Sequence, residues 1–354
     1  MKHIKLGKKV VDNNSLYFIA DIGANHNGSL DKAIELIHLV KESGGDAAKF
    51  QNFSAKKRVS KYGFDNMKGK LSHQAKWNKS IYEVYEDASI NKDWTEILKK
   101  ECDKLGLDYF TSPYDFESVD LVNPFVELYK IGSGDASWLE IIDYVLEKGK
   151  PTLLATGACD LDDVKRMMEL ALNKTSDIVL MQCNTNYTGS IENFNYCNLN
   201  VLKTYNQMFP NTVLGLSDHT QGHATVLGSI ALGARVIEKH FTDNNNQEGP
   251  DHGFAMNPIS WREMVDRSYE LLSALGDGMK RVEENEKQAY QVQRRCLRAS
   301  SNLKKNHIIT KSDLDPLRPI GDGAFQPFQE KELIGMKLKR DVKYGEHFSI
   351  NNIL

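Results

Sequence analysis

Two lysines in this chain, Lys49 and Lys130, each close a short apolar run and are followed at once by small or polar residues. The segments are Lys49-Phe-Gln51 and Lys130-Ile-Gly-Ser-Gly-Asp135. Lysines in such a setting serve one of two chemistries. A desolvated amine of lowered pKa forms a Schiff base with a carbonyl compound. A pair of ammonium ions, helped by Ser133 and the backbone N–H groups of a glycine turn, instead clamps a phosphate or carboxylate. The neighbouring hydroxyls and glycines favour the anion clamp. Two histidines stand in the same kind of place, in Ser217-Asp-His219 and Glu238-Lys-His240. Imidazoles at the ends of successive strands converge on one point. That arrangement suits a divalent metal whose remaining positions hold water or substrate, with the Asp21 and Glu238 carboxylates nearby. His223, four residues after His219, is the rival partner, but it falls where a helix should begin. His38 belongs to an amphipathic helix and is expected to be solvated.

The elements that must position these groups are legible as a repeat. From Tyr17 to about Ala274, apolar runs alternate with segments of helical periodicity. The runs are Phe18–Ile22, Ala47–Phe50, Tyr109–Ser112, Leu128–Ile131, Thr152–Ala155, Ile178–Gln182, Val213–Leu216 and Arg235–Lys239. Helical faces are formed by Ala33, Leu36, Ile37 and Val40, by Leu139, Ile142 and Leu146, and by Val164, Met168 and Ala171; a last helix spans Met264–Leu275. Eight strand–helix units of this kind predict an α/β fold, a parallel (β/α)8 TIM barrel with its active site at the C-terminal ends of the strands. The polar rim residues Asp21, Lys49, Gln51, Lys130, Ser133, Asp135, Thr185, Tyr187, Ser217, His219 and His240 all fall there. The stretch Lys56–Asn91 interrupts the repeat and is expected as an inserted lid. Its cations Lys56, Lys57, Arg58, Lys68 and Lys70 are candidates to hold a phosphate on the substrate, but a solvated charged loop is the favoured reading, and His73 is a weak candidate for substrate contact.

The domains are expected as a barrel over 1–280, a charged linker over 281–295 and a small, mostly β module over 296–354. The module carries an internal echo, Lys304–Leu314 against Lys343–Ile353. At about 60 residues its core is marginal alone, so docking on something larger is expected.

Composition narrows the partners. With 45 Lys and Arg against 48 Asp and Glu, the net charge of −3 gives no footprint for nucleic acid or anionic membrane. No segment has the ~18 uninterrupted apolar residues of a membrane span. The basic segment 1–14 lacks the apolar core of a signal peptide. Five scattered cysteines form no C-x-x-C pair, which fits a reducing, cytoplasmic location.

Taken together, Asp21-Ile-Gly-Ala-Asn-His-Asn-Gly28, Lys49-Phe-Gln51, Lys130-Ile-Gly-Ser-Gly134, Gly215-Leu-Ser-Asp-His-Thr220, Glu238-Lys-His-Phe241 and Gly249-Pro-Asp-His252 resemble the N-acetylneuraminate (sialic acid) synthase family. The tail resembles that family's antifreeze-like, or SAF, module. The resemblance covers nearly the whole chain. It implies a condensation of phosphoenolpyruvate with an open-chain N-acylated aldose (N-acetylmannosamine, a diacetamido-trideoxyhexose or a phosphorylated mannosamine) to give a nine-carbon 3-deoxy-2-keto acid and phosphate.

Carried onto these residues, Lys49, Lys130, Ser133 and Ser217, with Thr185, would hold phosphoenolpyruvate. His219 and His240 would ligate Mn²⁺, or Mg²⁺ or Co²⁺. Gln51, Asp135, Tyr187 and Asp251 would face the sugar, and Asp21, Lys49 and Lys130 would be catalytic. Arg318 would reach the partner subunit's site in a domain-swapped homodimer. Asp21 and Asp135 stand where the family commonly has Glu, which implies a different sugar branch. The competing readings are a Schiff-base pyruvate aldolase and a non-catalytic carbohydrate-binding barrel.

Overall fold

A computed structural model of the protein describes residues 2–67 and 79–354. Lys68, Lys70 and His73 lie outside the described residues. Eight parallel strands close into a barrel in chain order. They are β1 (Tyr17–Asp21), β2 (Ala47–Asn52), β3 (Asp108–Pro113), β4 (Tyr129–Ile131), β5 (Thr152–Ala155), β6 (Ile178–Cys183), β7 (Val213–Asp218) and β8 (Ala234–His240), which pairs back with β1. The expected (β/α)8 barrel is thus the observed fold. The strands are buried almost throughout, because a parallel barrel is covered by its own packed interior on one side and by helices on the other.

The helices close over this barrel by their apolar faces. In the helix Leu30–Glu42 the buried residues are Ala33, Leu36, Ile37 and Val40, and Ser29 caps it by accepting from the Lys32 N–H. In Leu139–Leu146 the buried face is Ile141, Ile142, Val145 and Leu146, and Leu139 is exposed. The expected face was therefore rotated by one position at its first residue. The final helix begins at Pro258, six positions before Met264. Its start is set by Asn257, whose side chain accepts from the Ser260 N–H, and by proline at the first helical position.

Register in the last strand matters for the site. Between Ala234 and Val236 the pairing of β8 with β7 shifts by one residue. The extra residue is Arg235, whose guanidinium donates to the carbonyls of Asn13, Ile230 and Ala234. A one-residue slip exchanges the two faces of a strand, so this bulge determines which of residues 238–240 point inward. An N-terminal hairpin, Ile4–Leu6 paired antiparallel with Lys9–Val11, buries Leu6 and Val11 against the barrel core. The insertion after β2 holds short helices at Ala55–Arg58, Lys61–Asp65 and Ile81–Asp87.

The chain divides into compact units at Met1–Gly276 and Asp277–Leu354. The segment expected as a linker, 281–295, carries the helix Lys287–Gln293 and belongs to the second unit. That unit contains an antiparallel pair, Cys296–Ala299 with Leu314–Leu317, around a core that includes Leu297, Leu303, Leu338, Val342 and Phe348. The sequence echo is a structural repeat. Leu303 and Val342 exchange both backbone hydrogen bonds. Asp341 accepts from the Lys305 N–H and Asn302 from the Tyr344 N–H. The equivalent turn residues Asn306 and Gly345 are both left-handed, at φ 70° and 76°. The equivalent caps match as well: the Thr310 N–H donates to Asp313 and the Ser349 N–H to Asn352.

Candidate active site

The polar residues at the C-terminal ends of the strands open onto one cavity of about 1240 Å³. Asp21, Lys49, Gln51, Lys130, Ser133, Asp135, Thr185, Tyr187, Ser217, His219, His240 and Asp251 all line it. Arg318 does not belong to the barrel. It lies in the second unit, exposed, directly after the strand Leu314–Leu317.

Strand register builds the floor. His240 pairs with Asp21 across β8 and β1, and Asp21 with Lys49 across β1 and β2. Three reactive side chains are thereby set in one row. Ser217 pairs with Glu238 across β7 and β8. With a period of two, Glu238 and His240 face inward while Lys239 faces outward. There Lys239 donates to Asp218 at 2.5 Å and to the Thr220 carbonyl at 2.6 Å. Asp218 also accepts from the hydroxyls of Thr220 and Thr225. This buried pair braces the strand ends that carry His219 and His240.

On the inner face two ion pairs alternate. Lys49 donates to Asp21 at 2.6 Å and lies 3.9 Å from Glu238. Lys130 pairs with Glu238 and donates to Ser217 at 2.9 Å. Burial opposes ionisation of Asp21, but Lys49, His240 and Lys130 outweigh it and hold that carboxyl down to about 2. Burial likewise acts to lower Lys49, and Asp21 and Glu238 more than offset it, leaving its pKa raised. A Schiff-base lysine needs the reverse shift, so the electrostatics favour the anion clamp at Lys49. Glu238, expected from the sequence only as a carboxylate near the histidines, is here the counterion of Lys130. The signal for it was present in its two-residue spacing from His240.

Ser133 approaches this floor from the turn after β4. Its hydroxyl accepts from the Gly157 N–H at 2.9 Å, drawing the ends of β4 and β5 together. A Cβ at Gly157 would stand 2.4 Å from the Thr185 methyl and 2.9 Å from the Ser133 oxygen, so this contact requires glycine.

The two histidine rings lie 5.5 Å apart, centre to centre. Tyr187 packs on His219 at 4.3 Å, and Phe254 packs on both rings. His219 Nδ1 is 2.7 Å from the Asn184 carbonyl. A carbonyl only accepts, so Nδ1 carries the proton and Nε2 keeps its lone pair for a ligand. His240 lies 3.6 Å from Asp21 through Nε2 and 3.5 Å from Asp251 through Nδ1. Among the described residues its buried Nδ1 has no hydrogen-bond partner, and neither has Glu238 Oε2. Imidazole nitrogens and carboxylate oxygens left in this state fit a divalent cation of the Mn²⁺, Co²⁺ or Mg²⁺ type. Among the described residues no three protein donors close on one point, so water and substrate would complete such a site. His223 stands apart at the N-cap of Ala224–Ala231, and His38 pairs with Glu101 at 3.0 Å.

Among the described residues, the insertion brings one of the lid cations expected from the sequence to the cavity. Lys56 and Lys57 are exposed, as a solvated loop requires, and Lys57 pairs with Glu117. Arg58 instead lines the cavity. Its guanidinium lies 3.6 Å from the ring centre of Tyr114, 4.3 Å from Phe53 and 5.0 Å from Tyr85. Asp135 faces the same space, and burial, partly opposed by Arg58, pushes its carboxyl up to about 6.

Comparison with known proteins agrees with this architecture. The chain is 30% identical to the N,N'-diacetyllegionaminic acid synthase of Campylobacter jejuni, over 93% of its own length and 97% of the relative's. It is 31% identical to the pseudaminic acid synthase of the same species, covering 94% of each chain. The crystal structure of the N-acetylneuraminic acid synthetase of Leptospira borgpetersenii superposes with a TM-score of 0.72 at 23% identity. That alignment covers 81% of this chain and 95% of the other, and it shows the shared fold. Residues 36–280 match the NeuB family profile, and on these grounds the chain belongs to the NeuB family.

Proposed function

We propose that the protein is a nonulosonic acid synthase. It condenses phosphoenolpyruvate with an open-chain N-acylated aldose and water, giving a nine-carbon 3-deoxy-2-keto acid and phosphate. The observation that carries this reading is the pairing of two buried lysines, each held by a carboxylate, with two imidazoles on the same cavity floor. One half of the floor suits a small, highly charged anion, and the other suits a polarised carbonyl.

Lys49 and Lys130 take the phosphate and carboxylate of phosphoenolpyruvate, with Ser133, Ser217 and Thr185 fixing its orientation. On arrival the substrate's oxygens replace Asp21 and Glu238 as the lysines' nearest anions. Carbon three of phosphoenolpyruvate attacks the aldehyde, and positive charge grows at carbon two. Asp21, ionised throughout the neutral range, is the carboxylate placed to stabilise that charge. Water then adds to carbon two and phosphate leaves with its bridging oxygen. His219 and His240 would hold a divalent cation, which supplies Lewis acidity for the aldehyde oxygen when bound.

Gln51, Asp135, Tyr187 and Asp251 face the sugar. The second unit acts as the antifreeze-like module, and Arg318 serves the partner's site in a cytoplasmic homodimer. Among the described residues no helix is long and apolar enough to cross a membrane. The test is phosphate release from phosphoenolpyruvate with Mn²⁺. Release that requires both the cation and an N-acylated aldose supports the reading, and pyruvate serving equally well as donor overturns it.

A further inference from the structure

We propose that Arg58 and the apolar wall around it form the subsite for an acylamido group at the far end of the acceptor sugar. Arg58 would then select a diacylated, terminally deoxygenated aldose over a phosphorylated one. This inference rests on the condensation reading above and assigns a residue and a ligand chemistry within it.

Among the described residues Arg58 has no carboxylate within ion-pair distance, although its charge is felt by Asp135. Its partners are rings. Tyr114, Phe53 and Tyr85 close around the guanidinium and hold its fork rigid, which lowers the entropy lost when it donates to a ligand. Among the described residues it makes one hydrogen bond, from Nη1 to Gln51 Oε1 at 3.3 Å. The other end of the Gln51 amide donates to Asp21 Oδ2 at 3.3 Å. A chain of polar contacts thus runs from Lys49 through Asp21 and Gln51 to Arg58. It places the guanidinium outward of the reacting floor, where the tail of an extended sugar would lie. One Gln51 amide hydrogen is engaged by Asp21 and its oxygen by Arg58, so Gln51 keeps one donor toward the reacting end of the sugar while the guanidinium presents its remaining donors to the tail.

The surroundings decide the ligand's chemistry. Val59, Phe64 and Val84, from the same insertion, line the cavity together with Phe53 and Tyr85. A phosphate there would meet one arginine, apolar side chains and the Asp135 carboxylate, with too few donors to replace its water. An acylamido group fits every element: its carbonyl accepts from Arg58, its N–H faces Asp135, and its methyl packs on the aromatic wall. A terminal methyl in place of a hydroxyl suits the same wall.

The test uses the full chain with phosphoenolpyruvate and Mn²⁺. Calorimetry measures the binding of reduced, unreactive acceptors: the alditols of N-acetylmannosamine, of its 6-phosphate and of a 2,4-diacetamido-2,4,6-trideoxyhexose. The wild type is expected to bind the diacetamido alditol most tightly. Arg58→Met should weaken that binding about tenfold or more while phosphoenolpyruvate affinity stays within about twofold. Arg58→Lys should restore only part of the loss, because a point charge lacks the stacked fork. Equal binding by wild type and Arg58→Met, a preference for the 6-phosphate, or no alditol binding would each overturn the assignment. Phosphate release with the matching aldoses is scored separately. Arg58-dependent binding without any release would contradict the condensation reading and leave the subsite standing.

Discussion

His240 stands directly opposite Asp21 in the parallel register of β8 and β1, and their side chains approach to 3.6 Å. One backbone pairing thus brings a candidate metal ligand and the carboxylate proposed as catalytic together. Asp21 contacts Lys49 directly and approaches His240.

The histidine pair makes a prediction about the cation. Chelation should abolish turnover and added Mn²⁺ should restore it. His219→Ala and His240→Ala should each lower the number of tightly bound Mn²⁺ ions, read by electron paramagnetic resonance. Full Mn²⁺ binding in either variant would remove that residue from the site.

For the lysines the expected result is negative in one assay and positive in another. Borohydride with pyruvate should trap neither Lys49 nor Lys130, since the clamp needs ammonium ions. Lys130→Met should raise the phosphoenolpyruvate KM at least about tenfold. A borohydride adduct on either lysine, mapped by mass spectrometry, would restore the Schiff-base reading.

Asp135 predicts a pH dependence with a definite sign. Its carboxyl titrates at about 6 in the folded protein and near ~3.9 when unfolded. Between those values the folded state binds a proton that the unfolded chain has released. Stability contributed by this group therefore falls as pH rises from about 4 to about 6, and stays lower above. Asp135→Asn should gain thermal stability relative to wild type at pH 7 compared with pH 4. It should also flatten the change in acceptor KM near pH 6. Unchanged profiles would mean that Asp135 is not the titrating group.

The outward pair Asp218 and Lys239 predicts a structural cost. Lys239→Met leaves a buried carboxylate without its cation, a loss of about 3–5 kcal/mol. Adding Asp218→Leu to that variant should recover much of the melting temperature, whereas a purely local role for Lys239 would leave the double variant no better than the single.

What was legible in the chain follows from the physics of each element. The eight strands are continuous apolar runs because a barrel buries both faces, so they stand out against the amphipathic helices. The strand-end residues from Asp21 to His240 were readable because charged side chains there have few structural uses. Arg58 was readable only as one of five interchangeable lid cations. It looks like its neighbours Lys56 and Lys57, and what distinguishes it is the convergence of Phe53, Tyr85 and Tyr114 from separate elements. The N-terminal hairpin escaped notice because three-residue strands show too little alternation. Its Gly7-Lys8 turn, with Gly7 at φ 51°, was the available signal. Asn257-Pro258 marked a helix start that periodicity alone placed too late.

The central claim is carbon–carbon bond formation with loss of phosphate at carbon two. Its most direct test is the reaction of phosphoenolpyruvate, Mn²⁺ and a diacetamido aldose in ¹⁸O-water, with both products analysed by mass spectrometry. The account predicts phosphate and a nine-carbon keto acid in equal amounts, with the phosphate free of label because water adds to carbon. Labelled phosphate, or phosphate released without a nine-carbon product, would contradict it.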